Sequence, residues 1–199
     1  MKMAESITGV VLTAGCDEAG RGCLSGPVVA AAVILPAGYD DPGINDSKQL
    51  TPLSRHQMAS RIKETALAYG IGKSEPEEID RLNILQASIT AMHRALDQLT
   101  ITPGYVLVDG NRFRSYKEIP HTCIVKGDAL VTSIAAASIL AKHSRDLLMM
   151  ELHQQYPHYG WDRNKGYPTR EHIDAIAHFG KTPVHRKTFH VKGQLKLSL

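Results

Sequence analysis

Two short apolar runs near the N-terminus constrain the fold more strongly than any other feature of this sequence. Residues 9–15 (GVVLTAG) and 27–35 (PVVAAAVIL) are rich in β-branched residues, and a glycine-rich segment with an acid pair separates them. Such runs are typical of buried strands, so we predict that both lie in one sheet. Residues 69–73, 105–109 and 122–126 are three further predicted strands.

Helical periodicity occupies much of the chain between these strands. After Asp80, apolar residues recur at steps of three and four and therefore share one helical face: Leu82, Leu85, Ile89, Met92, Leu96 and Leu99. We predict other helices from a cap at Ser47 or Thr51 to about residue 68, over about 130–155, and over about 169–179. Strands mixed with helices predict an α/β fold with a central mixed sheet flanked by helices.

Composition places the chain among ordinary globular proteins. Its 199 residues are 43% hydrophobic and 22% charged, which predicts a single domain over residues 1–199 with a small helical and basic C-terminal extension from about residue 156. Lys and Arg outnumber Asp and Glu by 23 to 20, a balance that permits a polyanionic partner. None of the apolar runs is long enough to span a bilayer, and the N-terminus makes a poor signal peptide. We therefore expect a cytoplasmic protein without membrane association.

Acidic residues follow three of the predicted strands. Asp17, Asp109 and Asp128 each stand where an apolar strand gives way to glycine, and Glu18 is next to the first of them. Strand ends from distant parts of a chain can meet at one edge of a sheet, which would bring these carboxylates together. Clustered carboxylates resist ionisation unless a cation lies among them, and Mg²⁺ is the natural occupant. The alternative is that each acid is a turn residue, because Asp is favoured in turns.

Divalent ions held by carboxylates, with a substrate phosphate as a further ligand, describe the two-metal chemistry of phosphodiester hydrolysis. Such sites need no protein nucleophile, and the chain contains neither a GxSxG nor a Cys-His signature. Asp146, in the segment SRDLL, is another candidate ligand, although its place late in a helix favours an ion pair.

Six segments, taken in order, closely resemble bacterial ribonuclease HII: CDEAGRGCLSGPVVAAAVIL, NDSKQL, EIDRLNILQAS, YVLVDGN, VKGDALVTSIAAASILAKHSRD and NKGYPT. The resemblance runs from about residue 15 to residue 186, and its DEAGRG and SIAAASILAK blocks are highly specific. It implies an RNase H-like fold and metal-dependent endonucleolytic cleavage of the RNA strand in RNA/DNA hybrids. Single ribonucleotides embedded in duplex DNA are implied substrates as well.

The resemblance also implies the acids of the site. Asp17 and Glu18 of DEAGRG, Asp109 of VDGN and Asp128 of KGD match the catalytic, metal-binding set of the family, which uses Mg²⁺ or Mn²⁺. Whether Asp128 or Asp146 completes the set remains open. Family members cut on the 5′ side of the ribonucleotide and leave 3′-hydroxyl and 5′-phosphate ends.

Six further residues are candidate substrate contacts: Gly20, Arg21, Gly22, Lys48, Lys165 and Tyr167. The GRG stretch resembles the family's reader of the RNA-to-DNA junction, since glycines let backbone groups approach a 2′-hydroxyl closely. Tyr167 resembles the family's tyrosine beside the ribonucleotide sugar, and the two lysines are candidate phosphate contacts. The plainer alternatives are a tight turn, loop packing and solvated lysines.

The expected partners are RNA/DNA hybrids and ribonucleotide-containing duplex DNA, which suggests roles in DNA replication and ribonucleotide excision repair. We expect a monomer whose C-terminal extension contributes to substrate binding, and we leave open a sliding-clamp partner. Two rival functions remain. A junction resolvase or a type I RNase H would share the fold but not the substrate, and a catalytically silent hybrid-binding module would not cleave at all. Intact acids argue against the silent module, because negative charge repels phosphates when no metal is bound.

Overall fold

A single mixed sheet forms the centre of the protein. The computed structural model describes residues 11–39, 41–44 and 50–190, so the predicted phosphate contact Lys48 and the predicted cap Ser47 lie outside the described residues. Five strands take the order β3-β2-β1-β4-β5: β1 Thr13–Ala19, β2 Val28–Ile34, β3 Ala68–Ser74, β4 Tyr105–Asp109 and β5 His121–Ile124. The first three strands pair antiparallel, whereas β4 runs parallel to β1 and β5 runs parallel to β4.

Within the described residues, six helices and two short 3₁₀ turns surround this sheet. The helices are α1 Pro52–Thr65, α2 Pro76–Leu82, α3 Ile84–Asp97, α4 Thr132–Gln155, α5 Trp161–Asn164 and α6 Arg170–Phe179, and the 3₁₀ turns are Gly127–Ala129 and Pro157–Tyr159. Thr51 caps α1 by accepting a hydrogen bond from the Ser54 amide. None of the helices in the described part of the chain is both long and apolar enough to cross a membrane.

Apolar side chains fill both faces of the sheet. One cluster lies between the sheet and the helices α2 and α3, and a second lies between the sheet and the helices α1 and α4. All seven residues of β2 are buried, as expected for a strand covered on both faces. The predicted α/β class, a mixed sheet flanked by helices, is therefore confirmed.

A third apolar cluster holds the C-terminal part of the described chain. Trp161, Tyr159 and Ile176 pack there against Leu24, which follows β1, and against Met149 of α4. The backbone amide of Arg186 also donates to the Leu24 carbonyl at 2.8 Å. Residues 156–190 are thus joined to the segment that follows the first strand, while a role of this extension in substrate binding stays a prediction.

Two local features differ from the sequence prediction. Strand β1 was predicted to end at residue 15 but continues to Ala19, because Glu18 and Ala19 pair with Ala30 and Val29 of β2. The predicted helix after Asp80 is two helices. Asn83 separates them with φ 69°, and its side chain accepts hydrogen bonds from the first amides of α3.

Candidate active site

Parallel pairing of β1 and β4 brings two acidic positions to the same edge of the sheet. Cys16 is in register with Val108, so Asp17 and Asp109 are the next residue on each strand. The Asp109 carboxylate accepts a hydrogen bond from the Gly127 amide at 2.8 Å. This bond ties the end of β4 to the 3₁₀ turn before α4.

A cavity of about 270 Å³ opens at this edge, and we call it the acidic cleft. Its walls bring together acids, a glycine turn, an aromatic ring and a lysine: Asp17, Glu18, Ala19, Gly20, Arg21, Gly22, Asp109, Ser138, Lys142 and Tyr167. Three of the four predicted acids and four of the six predicted substrate contacts therefore share one cavity. Ser138 and Lys142 come from α4 and were not predicted.

Asp17 and Glu18 reach the acidic cleft from opposite faces of the sheet. Successive side chains of a strand point to opposite faces, and β1 neither ends nor turns between these two residues. Asp17 hydrogen-bonds Ser138 of α4 on one face. On the other face, Glu18 and Asp109 also border a small recess beside α3. The cleft lies across the sheet edge, which makes both carboxylates accessible from one cavity.

Burial and mutual repulsion dominate the electrostatics of the acidic cleft. Burial raises the pKa of Asp17 well above its ordinary value, the charges of Glu18 and Asp109 raise it further, and the hydrogen bond from Ser138 opposes them. Burial also raises the pKa of Glu18, although Arg21 offsets part of this effect through an ion pair of 3.1 Å. The site is therefore short of positive charge.

Residues 20–22, which we call the glycine turn, are shaped by a buried arginine. The Arg186 guanidinium is fully buried and donates to the carbonyls of Gly20 at 2.7 Å and Arg21 at 2.9 Å. Gly20 has φ 95°, and a Cβ there would overlap the side chain of Arg145. Glycine is thus required at this position by conformation and by space.

Tyr167 contributes an aromatic ring to the wall of the cleft. Its ring is 40% exposed and lies 5.8 Å from the Lys142 ammonium and 5.9 Å from the Arg145 guanidinium. Its carbonyl accepts hydrogen bonds from the Thr169 amide at 2.8 Å and from His172 Nδ1 at 2.9 Å. The backbone of Tyr167 is therefore held in place while its ring faces the cavity.

Comparison with known proteins identifies the family of this chain. The sequence model of the family described as "Ribonuclease HII" matches residues 14–192. A ribonuclease HII from Bacteroides thetaiotaomicron is 56% identical over 189 residues, which cover 95% of this chain and 94% of the relative. The chain belongs to the ribonuclease HII family. It is accordingly an endoribonuclease, a hydrolase that acts on RNA/DNA hybrids.

Solved structures of related enzymes share the fold. The crystal structure of ribonuclease H2 from Pyrococcus horikoshii OT3 has a TM-score of 0.73 at 27% identity and covers 89% of this chain and 93% of its own. A Bst RNase HIII crystallised in complex with Mn²⁺ has a TM-score of 0.63 at 21% identity, covering 86% of this chain and 70% of its own. The RNase H-like fold inferred from the motifs is confirmed.

Three other predicted residues, Asp128, Asp146 and Lys165, do not line the acidic cleft. Asp128 is in the 3₁₀ turn between β5 and α4 and is 8% exposed, but it does not line the cavity. Asp146 is held by two cations, Arg55 at 3.1 Å and Lys142 at 2.6 Å. Lys165 donates to the Asp162 carbonyl and to the sulfur of Met150 instead of facing the cavity.

Residues that support the cleft were missed at the sequence level. Ser138 and Lys142 are four apart and so share a face of α4, a spacing visible in SIAAASILAK. Arg145 donates to the carbonyls of Ser25, Pro27 and Lys165, and no local pattern distinguishes it from an exposed arginine. Such supports depend on tertiary contacts that sequence spacing does not encode.

The carboxylates of the cleft are suitable metal ligands, but they are not arranged as a complete metal site. Among residues 11–39, 41–44 and 50–190, no three His, Cys, Asp or Glu side chains are gathered as a complete set of metal ligands. One Asp17 oxygen accepts from the Glu18 amide at 2.7 Å, and Glu18 faces Arg21. A cation bound at Glu18 Oε1 would compete with Arg21 for that oxygen.

Proposed function

We propose that this ribonuclease HII nicks duplex DNA on the 5′ side of a single embedded ribonucleotide and leaves 3′-hydroxyl and 5′-phosphate ends. The observation that carries the proposal is that three carboxylates, the glycine turn and Tyr167 line one cavity of about 270 Å³. Hydrolytic machinery and groups suited to reading a sugar are thereby within reach of one nucleotide. A site that only bound hybrids would gain nothing from buried, mutually repelling carboxylates.

Asp17, Glu18 and Asp109 are the residues that we propose hold Mg²⁺ or Mn²⁺. Carboxylate oxygens are suitable ligands for both ions. Burial and repulsion between the acids raise the pKa values of Asp17 and Glu18, and a bound cation would oppose both effects. The Mn²⁺ complex of the structurally similar ribonuclease HIII supports this choice of ion. When bound, divalent ions in a two-metal arrangement activate a water for in-line attack and stabilise the leaving oxygen.

Asp128 is the residue that we propose as the fourth acid, in preference to Asp146. Both oxygens of Asp146 already accept from cationic side chains, which leaves this carboxylate little affinity for a further ion. Asp128 follows Gly127, whose amide is bonded to Asp109, so it is adjacent in sequence to the cleft wall.

The glycine turn and Tyr167 supply the proposed recognition of the ribonucleotide. Arg186 holds the carbonyls of Gly20 and Arg21, and in a trans peptide the N–H points away from the C=O. The amides of Arg21 and Gly22 are thus directed away from Arg186 and are available to a 2′-hydroxyl, the group that separates RNA from DNA. Tyr167 offers a flat ring for stacking on the sugar or base.

A labelled duplex that contains one ribonucleotide tests the proposal. The full chain is incubated with this duplex in Mg²⁺, in Mn²⁺ or with a chelator, and an all-DNA duplex and a long RNA/DNA hybrid serve as comparisons. We expect a 5′-side nick with either metal and none with chelator. Cleavage of the long hybrid while the single ribonucleotide stays intact would contradict the proposed substrate, and cleavage that persists in chelator would contradict the proposed metal dependence.

A further inference from the structure

A chain of hydrogen bonds, which we call the histidine relay, joins the C-terminal turn to the backbone of Tyr167. Trp161 Nε1 lies 3.0 Å from His172 Nε2, and His185 Nε2 lies 3.2 Å from the same nitrogen. At one end the Thr182 amide lies 2.9 Å from His185 Nδ1. At the other end His172 Nδ1 lies 2.9 Å from the Tyr167 carbonyl.

The donors at this relay fix where each imidazole carries its proton. An indole N–H and a backbone amide can only donate, so His172 Nε2 and His185 Nδ1 must both be unprotonated acceptors. A neutral imidazole then carries its proton on the other nitrogen. His185 therefore donates to His172, and His172 donates to the Tyr167 carbonyl. This is the one arrangement in which each donor meets an acceptor.

Burial keeps both imidazoles neutral. His172 and Trp161 are 0% exposed and His185 is 1% exposed. Burial lowers the pKa of His172, against smaller opposing effects from the backbones of Tyr167 and Gly166 and from the charge of Glu171. Burial also lowers the pKa of His185 to about 4, assisted by the neighbouring His172 and by the charge of Lys181. A proton added to His172 Nε2 would face two N–H donors at once. The relay thus has a single orientation over the neutral pH range.

Tyr167 is the cleft residue on which the relay ends. Its carbonyl accepts from His172 and from the Thr169 amide, and the following Pro168 restricts its backbone to extended conformations. With the backbone held, the position of the ring depends on the side-chain torsions of Tyr167, whose side chain is hydrogen-bonded to Cys23. His172 does not line the cleft, so any effect it has on substrate must pass through Tyr167.

We propose that His172, oriented by His185 and Trp161, is a positioning residue that holds Tyr167 against the ribonucleotide and thereby sets the preference for single ribonucleotides over long hybrids. The inference rests on the proposed function, in which Tyr167 contacts the ribonucleotide. A long hybrid presents many ribose groups, so the enzyme can still cleave it when the Tyr167 ring is displaced. A duplex with a single ribonucleotide can be cleaved only when that one ribonucleotide is recognised in the site. A displaced Tyr167 therefore lowers kcat/KM on the single site more than on the hybrid.

Two substitutions of His172 separate positioning from packing. In His172→Asn, the side-chain amide sits near the position of Nδ1 and still donates to the Tyr167 carbonyl, but the acceptor for Trp161 is lost. In His172→Gln, the carbonyl oxygen sits near the position of Nε2 and still accepts from Trp161, but the donor to Tyr167 is lost. Urea denaturation of both variants records their stability, so activity is compared only under conditions where each is folded.

The readout is the ratio of kcat/KM on the single-ribonucleotide duplex to kcat/KM on the long hybrid. We expect His172→Gln to lower this ratio about tenfold, and His172→Asn to keep it within about twofold of wild type, because one hydrogen bond to a positioned group is lost only in the former. If His172 has a purely structural role, its substitution would lower kcat/KM on both substrates by the same factor. Equal losses on the two substrates would overturn the inference.

A double substitution with Tyr167→Ala distinguishes failure of this inference from failure of the proposed function. We expect Tyr167→Ala alone to lower the ratio, and His172→Gln to lower it no further in that background. If Tyr167→Ala leaves the ratio unchanged, the proposed role of Tyr167 is wrong and the inference falls with it. If Tyr167→Ala lowers the ratio but the effect of His172→Gln multiplies with it, the positioning role alone is overturned.

Fluorescence of Trp161 gives a readout that is independent of cleavage. The chain contains one tryptophan, so its emission reports on the relay directly. We expect no transition in emission centred on pH ~6.5, because burial lowers the pKa of both imidazoles below the ordinary value of histidine. A change in emission with a midpoint near pH ~6.5, the ordinary pKa of histidine, that disappears in His185→Asn would overturn the proton arrangement.

Discussion

Asp17 holds a carboxyl group at a point where burial and neighbouring charge both oppose ionisation. The residue is 5% exposed, and Glu18 and Asp109 add repulsion to the cost of burial. Folding against such repulsion is typical of residues retained for function and not for stability. A divalent ion among these carboxylates would reduce the repulsion, so the metal that we propose for catalysis would also stabilise the folded state.

Replacing Asp17 by asparagine should separate activity from stability. Asn preserves the shape and the oxygen that accepts from the Glu18 amide, but it removes a charged ligand and the repulsion around it. We expect Asp17→Asn to lose at least ~10²-fold in cleavage and to gain about 1 kcal/mol in the free energy of unfolding. A nicking assay and urea denaturation measure the two effects. Turnover like that of the wild type would contradict the role of Asp17.

Substitutions of Asp128 and Asp146 can be compared to test which of them is the fourth metal-binding acid. Asp146→Asn leaves Arg55 and Lys142 without their shared anion, so we expect a loss of about 2 kcal/mol in stability and an unchanged metal requirement. For Asp128→Asn we expect a rise in the Mg²⁺ concentration that gives half-maximal cleavage. Titration of Mg²⁺ with both variants measures this. The reverse pattern would assign Asp146 to the metal set.

At the scale of elements, the contact between β1 and α4 determines the geometry of the cleft. Gly15 of β1 lies directly against the backbone of Ser133 and Ile134, where a Cβ would overlap main-chain atoms. The two backbones approach closely as a result. Ser138, on the same helix, then reaches the carboxylate of Asp17, so a glycine two residues away controls how the acid is held.

A methyl group at Gly15 should therefore destabilise the fold. We expect Gly15→Ala to lower the free energy of unfolding by about 3 kcal/mol, because the overlapping atoms are backbone and cannot rotate away. Gly22→Ala is the control for stability, since a Cβ at Gly22 would meet open space, and its expected change is within about 0.5 kcal/mol. Urea denaturation compares the two. Equal stabilities would show that β1 and α4 are not in close backbone contact.

Elements with a local signal were predictable from the sequence. The apolar run of β2 was expected at residues 27–35 and is observed at Val28–Ile34, and the periodic face of α3 was found as well. The extension of β1 through Asp17 and Glu18 was missed, because acidic residues are disfavoured in strands and only pairing with β2 supports them. The break at Asn83 was also missed, since its positive φ depends on a cap that periodicity does not reveal.

At the scale of the whole molecule, buried histidines and buried carboxylates give opposite dependences of stability on pH. His185 has a folded pKa of about 4, below the ordinary ~6.5, so the unfolded chain binds more protons between these values. The contribution of His185 to the free energy of unfolding is therefore complete above pH ~6.5 and is lost as the pH falls towards 4. Asp17 and Glu18 have raised pKa values, so their contribution is present at low pH and is lost as the pH rises.

A histidine variant isolates the first of these effects. We expect wild-type stability to fall by about 3 kcal/mol more than that of His185→Asn between pH ~6.5 and pH ~4, because the variant has no imidazole to protonate. The asparagine oxygen retains an acceptor for the Thr182 amide. Urea denaturation at several pH values measures the difference. Parallel pH profiles would contradict a neutral, buried His185.

The residues that line the cleft were visible in the sequence, whereas the residues that support them were not. Asp17, Glu18, Asp109 and Tyr167 were predicted from motifs and line one cleft. Lys165 was expected near phosphate but bonds the Asp162 carbonyl, because the turn around it directs its side chain inwards. Arg186 was not predicted, since a guanidinium that bonds only main-chain carbonyls has no charge pattern to reveal it. Whole-molecule contacts of this kind appear only once the chain is folded.

The bond between Arg186 and the glycine turn joins residues that are far apart in the order of synthesis. On the ribosome, the acids of β1 emerge early, but the guanidinium that shapes the turn after them is made 166 residues after Gly20. Until then the nascent chain carries the carboxylates of β1 without the side chain that holds the carbonyls of Gly20 and Arg21. Translation therefore delays formation of the complete glycine turn until residue 186 has been made, so a product terminated before that residue would lack these bonds.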